Sequence, residues 1–239
     1  SNTASGSYAL TSNTTGTANT ASGFEALYFN TTGINNTANG YRALTANTTG
    51  DRNIALGYGA LDAPDTENDN IAIGYDALGG SIAGGEYNVA LGNYVLDANT
   101  SGANNIGLGY NSLTANTTGS VNVAIGTQAL DANTTGGSNT AVGYSALGAN
   151  VSSNYNTGIG RQALSSTTGA ANTSLGYRAG DVITSGSSNV IIGVNADPSA
   201  DAAANQIVIG KGAAGHGDNI AVIGNTDMTA WHPADDNGV

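Results

Sequence analysis

The repeat is clearest in Asn53-Ile54-Ala55-Leu56-Gly57-Tyr58-Gly59-Ala60-Leu61, and versions of this stretch recur from one end of the sequence almost to the other. The copies align on a central glycine that recurs with a period of about 17 residues, and a short, constant period of this kind predicts a β-solenoid, whose stacked turns need their neighbours to bury apolar surface. The step into Gly92 is longer, and the steps into Gly176 and Gly224 are shorter. The central glycines are Gly6, Gly23, Gly40, Gly57, Gly74, Gly92, Gly109, Gly126, Gly143, Gly160, Gly176, Gly193, Gly210 and Gly224.

Composition narrows the classes of partner. Of the 239 residues, 9% are charged, only five are Lys or Arg, and the net charge is -12. Such a chain has no basic surface to neutralise phosphates or anionic lipids, so we expect no nucleic-acid partner and no membrane insertion. There is no cysteine, which excludes disulfides and thiolate metal sites.

The N-terminus falls inside a repeat, at Ser1 to Gly6. We therefore expect the sequence to be a segment of a longer protein, with any signal or anchor outside it. Residues 1–224 are predicted to form the repeat array, and residues 225–239 are predicted to form a junction that leaves it.

Asparagine usually stands four residues before the central glycine. In stacked turns this column predicts a ladder, in which each side-chain amide donates to the equivalent amide one turn away. Its role is structural. Its members include Asn53, Asn70, Asn88, Asn105 and Asn122.

Between this asparagine and the glycine, large apolar residues alternate with small ones, as in Ile71-Ala72-Ile73-Gly74 and Val123-Ala124-Ile125-Gly126. Alternation with β-branched residues predicts a strand. We expect the large side chains to fill the core, and the Ala and Gly face to allow close approach by a neighbouring subunit. The glycines of this face include Gly57, Gly74, Gly92, Gly109 and Gly126.

Leucine holds the fourth position after the glycine in ten successive repeats, and it is a predicted core residue. The column ends with Gly180, Asp197 and Ala214 at the equivalent places, so turns after about residue 176 are predicted to pack differently. The leucines are Leu10, Leu27, Leu44, Leu61, Leu78, Leu96, Leu113, Leu130, Leu147 and Leu164.

Each repeat ends in a polar corner, most regularly Asn-Thr-Thr-Gly, as at 47–50 and 116–119. Asn and Gly are expected to supply the left-handed backbone of a tight turn there. The corners at 62–69 and 79–87 are irregular, and irregular loops are where recognition residues concentrate. The surface recognition candidates are Asp62, Asp65, Glu67, Asp69 and Tyr87.

No catalytic or cofactor site is predicted. The two histidines, His216 and His232, lack a nucleophile or a metal-spaced partner. The acidic corner at 62–69 has oxygen ligands for Ca²⁺ but no EF-hand pattern, so we favour a solvated loop. Sequence does not show whether its carboxylates have the spacing that glycoside cleavage needs.

An aromatic residue often follows the central glycine. Exposed, this column would stack on sugars; buried at a corner or between subunits, it would serve packing, which we favour because the column is so regular. The column contains Phe24, Tyr41, Tyr58, Tyr75, Tyr110, Tyr144 and Tyr177.

One chain is expected to be marginally stable alone, because each turn carries few large apolar side chains while each ordered residue costs roughly 1 to 2 kcal/mol of backbone entropy. A parallel homotrimer would complete the core with every turn in equivalent register. At about 4.8 Å per strand, fourteen turns would form a rod of about 65 Å.

The units Asn70-Ile71-Ala72-Ile73-Gly74 and Asn88-Val89-Ala90-Leu91-Gly92 resemble the head repeat of YadA-like trimeric autotransporter adhesins. The resemblance covers nearly the whole chain. It implies a left-handed parallel β-roll, a trimeric head, and attachment of bacteria to host surfaces. The number of repeats in the sequence gives this roll about 14 turns. The family spacing is about 14 residues, so the longer turns here imply larger corners.

The longer units, with Asn-Thr-Ala-x-Gly-Tyr-x-Ala-Leu and Asn-Thr-Thr-Gly, are also similar to repeats in bacteriophage tail fibres and related bacterial surface fibres. The end of the chain, from Ile220 to Thr226 and then Trp231 to Gly238, is similar to the junction where such fibres leave the roll.

Together these patterns predict a non-enzymatic, structural and adhesive segment of a trimeric extracellular fibre, either a bacterial surface adhesin or a phage tail fibre. Its expected partners are two further copies and a surface glycan or protein receptor. The alternatives are a fibre-borne polysaccharide depolymerase, with a carboxylate-lined groove, and an ice-binding solenoid, in which threonine columns order water.

Overall fold

The computed structural model of the chain describes residues 1–63, 66–80 and 84–228. These residues contain fourteen β-strands of three residues each, all in one parallel sheet in which each strand pairs with the next along the chain. The prediction of an all-β parallel β-solenoid with a period of about 17 residues is confirmed, and the strands are separated by about 13 turns. The strands are β1 (Thr3–Ser5), β2 (Thr20–Ser22), β3 (Thr37–Asn39), β4 (Ile54–Leu56), β5 (Ile71–Ile73), β6 (Val89–Leu91), β7 (Ile106–Leu108), β8 (Val123–Ile125), β9 (Thr140–Val142), β10 (Thr157–Ile159), β11 (Thr173–Leu175), β12 (Val190–Ile192), β13 (Ile207–Ile209) and β14 (Ala221–Ile223).

The register of the sheet is constant although the repeat length is not. Ala55 pairs with Ala72 across a regular step, and Ile73 pairs with Leu91 across the longer step that leads into Gly92. Thr157 pairs with Thr173 across the shorter step that leads into Gly176. Additional and missing residues are therefore accommodated in the corners and leave strand pairing unchanged.

Hydrogen bonds between turns continue beyond the short strands. The N–H of Leu61 donates to the carbonyl of Ala77 at 2.9 Å, and the N–H of Thr117 donates to that of Thr134 at 2.8 Å. Stacked corners thus satisfy their backbone groups on the neighbouring turn, as buried backbone requires.

The bends use left-handed backbone at unexpected residues. Leu61 and Leu113 both have φ of 52°, and Arg52 has φ of 59°. The corner asparagine and glycine, as in Asn47 and Gly50, are not among the residues with positive φ, so the prediction that they supply left-handed backbone is wrong. Left-handed conformation costs a residue with a side chain roughly 1 to 2 kcal/mol, and burial of the leucine side chains offsets this cost.

The interior of the coil is narrow and is filled mainly by alanine and leucine. Ala55, Ala60 and Leu61 are fully buried in one turn, while Ile54, in the same strand, is 36% exposed. The prediction that the large strand residues fill the core is therefore wrong. The left-handed bend brings leucine into the coil, which leaves room only for a small residue at the middle of the strand.

The close approach at the central glycine also differs from expectation. A Cβ added to Gly57 would touch the carbonyl oxygen of Gly74, one turn along the same chain. The glycine column therefore allows successive turns of one chain to stack closely.

A pair of exceptions shows how tightly the interior is filled. Val95 is fully buried where most repeats have alanine, and Gly107 replaces the strand alanine of the next turn. A Cβ on Gly107 would collide with Cγ1 of Val95. The larger residue in one turn thus requires the smaller one in the next.

The last turns pack differently, as the end of the leucine column predicted. Gly180 stands in the leucine place with φ of 66°. The interior is filled instead by Ile183 from a corner and by Ile191 and Val208 from the middle of β12 and β13, all fully buried.

The asparagine column before the strands is buried, but its bonds differ from those predicted. Oδ1 of Asn36 accepts the backbone N–H of Asn53 at 2.8 Å, and Nδ2 of Asn53 donates to the carbonyl of Glu67 at 2.7 Å. Direct amide-to-amide bonds occur only in some turns, as from Asn122 to Asn105 at 3.2 Å. The column therefore ties each strand to the corner of the next turn.

A second asparagine ladder lies in the corners, where the sequence indicated only turns. Nδ2 of Asn47 donates to Oδ1 of Asn30 at 2.8 Å and to the carbonyl of Gly50 at 3.1 Å. We name this set the corner asparagine column. It comprises Asn13, Asn30, Asn47, Asn99, Asn116, Asn133 and Asn150.

Candidate interaction surfaces

The most extensive exposed apolar feature is the outside of the sheet. The first and third residues of each strand point outward, and Ile106, Leu108 and Ile125 are 43%, 42% and 36% exposed. We name the first and third residues of β4 to β14 the outer sheet face. It is predominantly Ile, Val and Leu, with threonine at the first position of β9, β10 and β11.

The same positions in β1 to β3 are polar. They are occupied by Thr3, Ser5, Thr20, Ser22, Thr37 and Asn39. The outward surface of the sheet therefore changes from hydroxyl and amide groups to aliphatic groups at β4.

The aromatic column is half-exposed, and its rings stack on one another. The centroids of Tyr41 and Tyr58 are 4.9 Å apart with an interplanar angle of 8°, and those of Tyr58 and Tyr75 are 5.1 Å apart at 7°. Ring faces that cover each other are not available to a sugar, which stacks on a free face. This geometry favours the packing interpretation for these three turns.

A cation replaces the ring further along the column. The guanidinium of Arg161 lies 5.6 Å from the ring centroid of Tyr144 and 5.5 Å from that of Tyr177. Its Nη1 also donates to the hydroxyl of Tyr177 at 3.2 Å. Arg161 therefore continues the stack by cation–π contacts on both sides.

The acidic corner does not form one cluster. Asp69 accepts two hydrogen bonds from Arg52, at 2.6 and 2.9 Å, and this partner lowers the pKa of the Asp69 carboxyl. Glu67 is only 4% exposed and accepts the N–H of Thr66 and of Gly84, so its assignment as a surface recognition residue is wrong.

Of the other recognition candidates, Tyr87 in the corner at 79–87 is 55% exposed and Asp62 is half-buried, while Asp65 lies outside the described residues. Within residues 1–63, 66–80 and 84–228, no group of three or more His, Asp or Glu side chains is arranged to hold a metal ion. Asp69 and Tyr87 occupy the same phase of successive repeats, and of the two only Tyr87 is exposed.

Three aspartates on neighbouring turns form a group that the sequence analysis did not identify. The carboxylates of Asp62 and Asp76 both lie beside Gly59. Burial is the main cause that raises the pKa of Asp62 and of Asp97, and the negative charge of Asp76 raises both further. Burial also raises the pKa of Asp76 itself. The signal available in sequence was that Asp62 and Asp97 occupy the same phase of the repeat.

These shifts determine the sign of the pH dependence of stability. A carboxyl group with a raised pKa in the folded state contributes most below its unfolded pKa, about 3.9, and that contribution is lost as pH rises through the folded pKa. Burial also raises the pKa of Asp131 and Asp197. Asp69 and Asp218 have lowered pKa values and act in the opposite direction, but both are solvent-accessible ion-pair or hydrogen-bond partners whose effect is screened.

We therefore expect the melting temperature to rise by a few degrees between neutral pH and about pH 4.5. Replacing Asp62 and Asp97 together with Asn should raise stability at neutral pH and reduce this rise. Thermal melts followed by circular dichroism at both pH values measure the effect, with Asp227→Asn on the exposed C-terminal segment as the control. An unchanged rise in the double variant would contradict the assignment to these two carboxyls.

The corner threonines bear on the ice-binding alternative. Oγ1 of Thr31 donates to the carbonyl of Thr48 at 2.9 Å, and Oγ1 of Thr117 donates to that of Thr134 at 3.0 Å. These hydroxyls are engaged between turns, which leaves them less able to order water.

A cavity of about 310 Å³ lies at the C-terminal end of the coil. Among the described residues its lining contains no carboxylate, and it includes His216, which is exposed. His232 lies outside the described residues. The lining residues are Gly212, Ala214, His216, Val222, Gly224, Asn225 and Thr226.

Neither a scan against protein-family models nor a search of curated proteins finds a match for the chain. In the part of the chain that the structure describes, no helix has the length and apolar character needed to cross a bilayer. The functional interpretation therefore depends on the surfaces described above.

Proposed function

We propose that this chain is a rod segment of a homotrimeric extracellular fibre that attaches a bacterial cell or a phage virion to a surface, with a left-handed coil in each subunit. The observation that carries the proposal is the outer sheet face. It presents aliphatic side chains along one side of the coil from β4 to β14.

The dimensions of this face favour burial against other copies. Eleven strands at about 4.8 Å each, and three residues at about 3.3 Å each, give a strip of roughly 50 by 10 Å. An apolar strip on the order of 500 Å² is at the upper end of what monomeric proteins expose. A long, narrow and straight face fits an identical face of a parallel copy, turn against turn.

Three copies suit the narrow width of the strip. Three such faces arranged around a common axis enclose a continuous apolar core, and rotational symmetry keeps every turn at the same height. The interface proposed from the sequence was the Ala and Gly face, whereas the interface proposed from the structure is the opposite one, formed by residues such as Leu108 and Ile125.

Recognition is assigned to exposed corners that depart from the repeat. Tyr87 presents a phenol on one corner column and is more than half exposed, while the Asp69 carboxylate in the same column is paired with Arg52. Polar and aromatic groups on a rigid scaffold suit a surface glycan or a protein receptor. We propose no catalytic activity for this segment.

The assembly is tested by the mass of the purified chain in solution. A trimer has three times the chain mass of 23.5 kDa, which light scattering distinguishes from a monomer. Recognition is tested by binding of the labelled protein to an array of defined cell-surface glycans and to intact bacterial cells, with Tyr87→Ser as the comparison. The mass of a single chain at micromolar concentration would refute the trimer, and equal binding by Tyr87→Ser would refute that corner as the contact.

A further inference from the structure

The corner asparagine column coincides with a modification motif. Each of its seven members begins an Asn-x-Ser/Thr sequence, which is the acceptor sequence for N-glycosylation in secretory compartments. Acceptor asparagines of this kind are normally on exposed loops. Here the members from Asn30 to Asn150 are fully buried.

In five of these asparagines both protons of the acceptor nitrogen are engaged. Nδ2 of Asn116 donates to Oδ1 of Asn99 at 2.9 Å and to the carbonyl of Gly119 at 3.0 Å. Nδ2 of Asn133 donates to Oδ1 of Asn116 at 2.8 Å and to the carbonyl of Gly136 at 3.0 Å. The same two bonds are made by Asn30, Asn47 and Asn150.

Glycosylation would remove one of these bonds. The transfer from a lipid diphosphate-linked oligosaccharide forms a bond between Nδ2 and C1 of the first sugar and breaks the bond between C1 and the diphosphate oxygen. One Nδ2 proton is lost, and the lipid diphosphate is the leaving group. A buried acceptor in the neighbouring turn would then be left unsatisfied, which is costly.

There is also no space for a sugar beside these amides. A single Cβ added to Gly119 would lie 2.8 Å from Nδ2 of Asn133 and would collide with Oδ1 of Asn116. The corner is therefore closed to an added carbon atom, and a glycan at any of the five doubly bonded asparagines would separate the turns.

We propose that N-glycosylation of the corner asparagine column and folding of the rod are mutually exclusive, so that this chain must fold in a compartment without oligosaccharyltransferase. The inference does not depend on the proposed attachment function. Because oligosaccharyltransferase acts on chains that have not yet folded, burial in the final structure gives these asparagines no protection during synthesis.

The acceptor sequence at Asn35 differs from those of the corner asparagine column in its exposure. Asn35 begins the same acceptor sequence with Asn36 and Thr37, but Asn35 is exposed at a bend. A glycan at Asn35 is compatible with the fold. Asn172 begins another acceptor sequence and is buried, with Nδ2 donating to the carbonyl of Gly186 at 2.8 Å.

The test is expression through the secretory pathway of a eukaryotic cell, where wild type is compared with a variant that keeps only the Asn35 site. The variant removes the hydroxyl residue of each buried site and leaves every asparagine in place. The hydroxyl residue is exposed in the seven corner sites. In the Asn172 site it is Ser174, whose buried Oγ has no hydrogen-bond partner within the part of the chain that the structure describes. The changes are Thr15→Ala, Thr32→Ala, Thr49→Ala, Ser101→Ala, Thr118→Ala, Thr135→Ala, Ser152→Ala and Ser174→Ala.

We expect the wild type to carry several glycans at corner asparagines and to be degraded by limited proteolysis within minutes. The variant should carry one glycan at Asn35 and resist the same protease at least tenfold longer. Wild type made with an inhibitor of lipid-linked oligosaccharide synthesis should regain this resistance, which tests the proposal without any substitution. A protease-resistant wild type from untreated cells, with or without corner glycans by mass spectrometry, would overturn the proposal.

Discussion

Replacing Leu108 and Ile125 with Asp is expected to convert the proposed trimer into monomers of 23.5 kDa. These residues pair across β7 and β8 and both point outward from the sheet. In a trimer the double variant would place six carboxylates in the apolar core around the axis. Removing a charged group from water without a partner costs several kcal/mol, so the sum exceeds what an interface of this size supplies.

The coil of each subunit should survive this change, because its interior is formed by other residues. Leu113 and Ala124 are fully buried on the inside of the same turns. Far-ultraviolet circular dichroism should therefore retain its strand signal while light scattering reports the lower mass. If the strand signal is lost together with the mass, the subunit coil itself depends on these two residues.

The matched control is Val121→Asp, at a corner outside the sheet. Val121 is 56% exposed and has φ of 62°, a conformation that Asp tolerates better than Val. This variant should keep the mass of the trimer. A double variant of the outer sheet face that also kept that mass would show that the copies associate through another surface.

The sequence was sufficient for the period, the parallel register and the positions of the strands. These follow from columns such as Asn53 and Gly57, whose spacing does not depend on knowing which side of a strand faces inward. The inward face was mispredicted for a physical reason. Alternation shows that Ala55 and Ile54 lie on opposite faces, but the face that is buried depends on where Leu61 is placed, and Leu61 reaches the interior through a left-handed bend that leucine rarely adopts.

The corner asparagine column was missed because Asn-Thr-Thr-Gly has the composition of an ordinary turn. The available signal was its phase, because Asn116 and Asn133 have the same separation along the chain as Asn105 and Asn122 of the first ladder. Two asparagine columns with one period indicate two ladders. The pairing of Val95 with Gly107 was not visible in sequence, because the two residues belong to different repeats.

Gly57→Ala is expected to lower the free energy of unfolding by more than about 3 kcal/mol and the melting temperature by roughly 10 °C. Gly57 has φ of +141°, and a Cβ there would lie 2.7 Å from the carbonyl carbon of Gly74 while colliding with its oxygen. The backbone strain alone costs about 1 to 3 kcal/mol. The clash adds to this, because the atoms it meets belong to the backbone of the next turn, which is held in place by sheet hydrogen bonds.

Gly212→Ala separates strain from collision. Gly212 also has a positive φ, +61°, but a Cβ there would meet no atom of residues 1–63, 66–80 and 84–228 within 4 Å. Its substitution should cost only the roughly 1 kcal/mol of a left-handed alanine. Thermal and denaturant melts of the two variants therefore separate the destabilisation caused by the collision between turns from that caused by the left-handed backbone. Equal losses of unfolding free energy in the two variants would show that backbone conformation alone explains the glycine column. We expect a much larger loss in Gly57→Ala, because contact between successive turns excludes any side chain at that position.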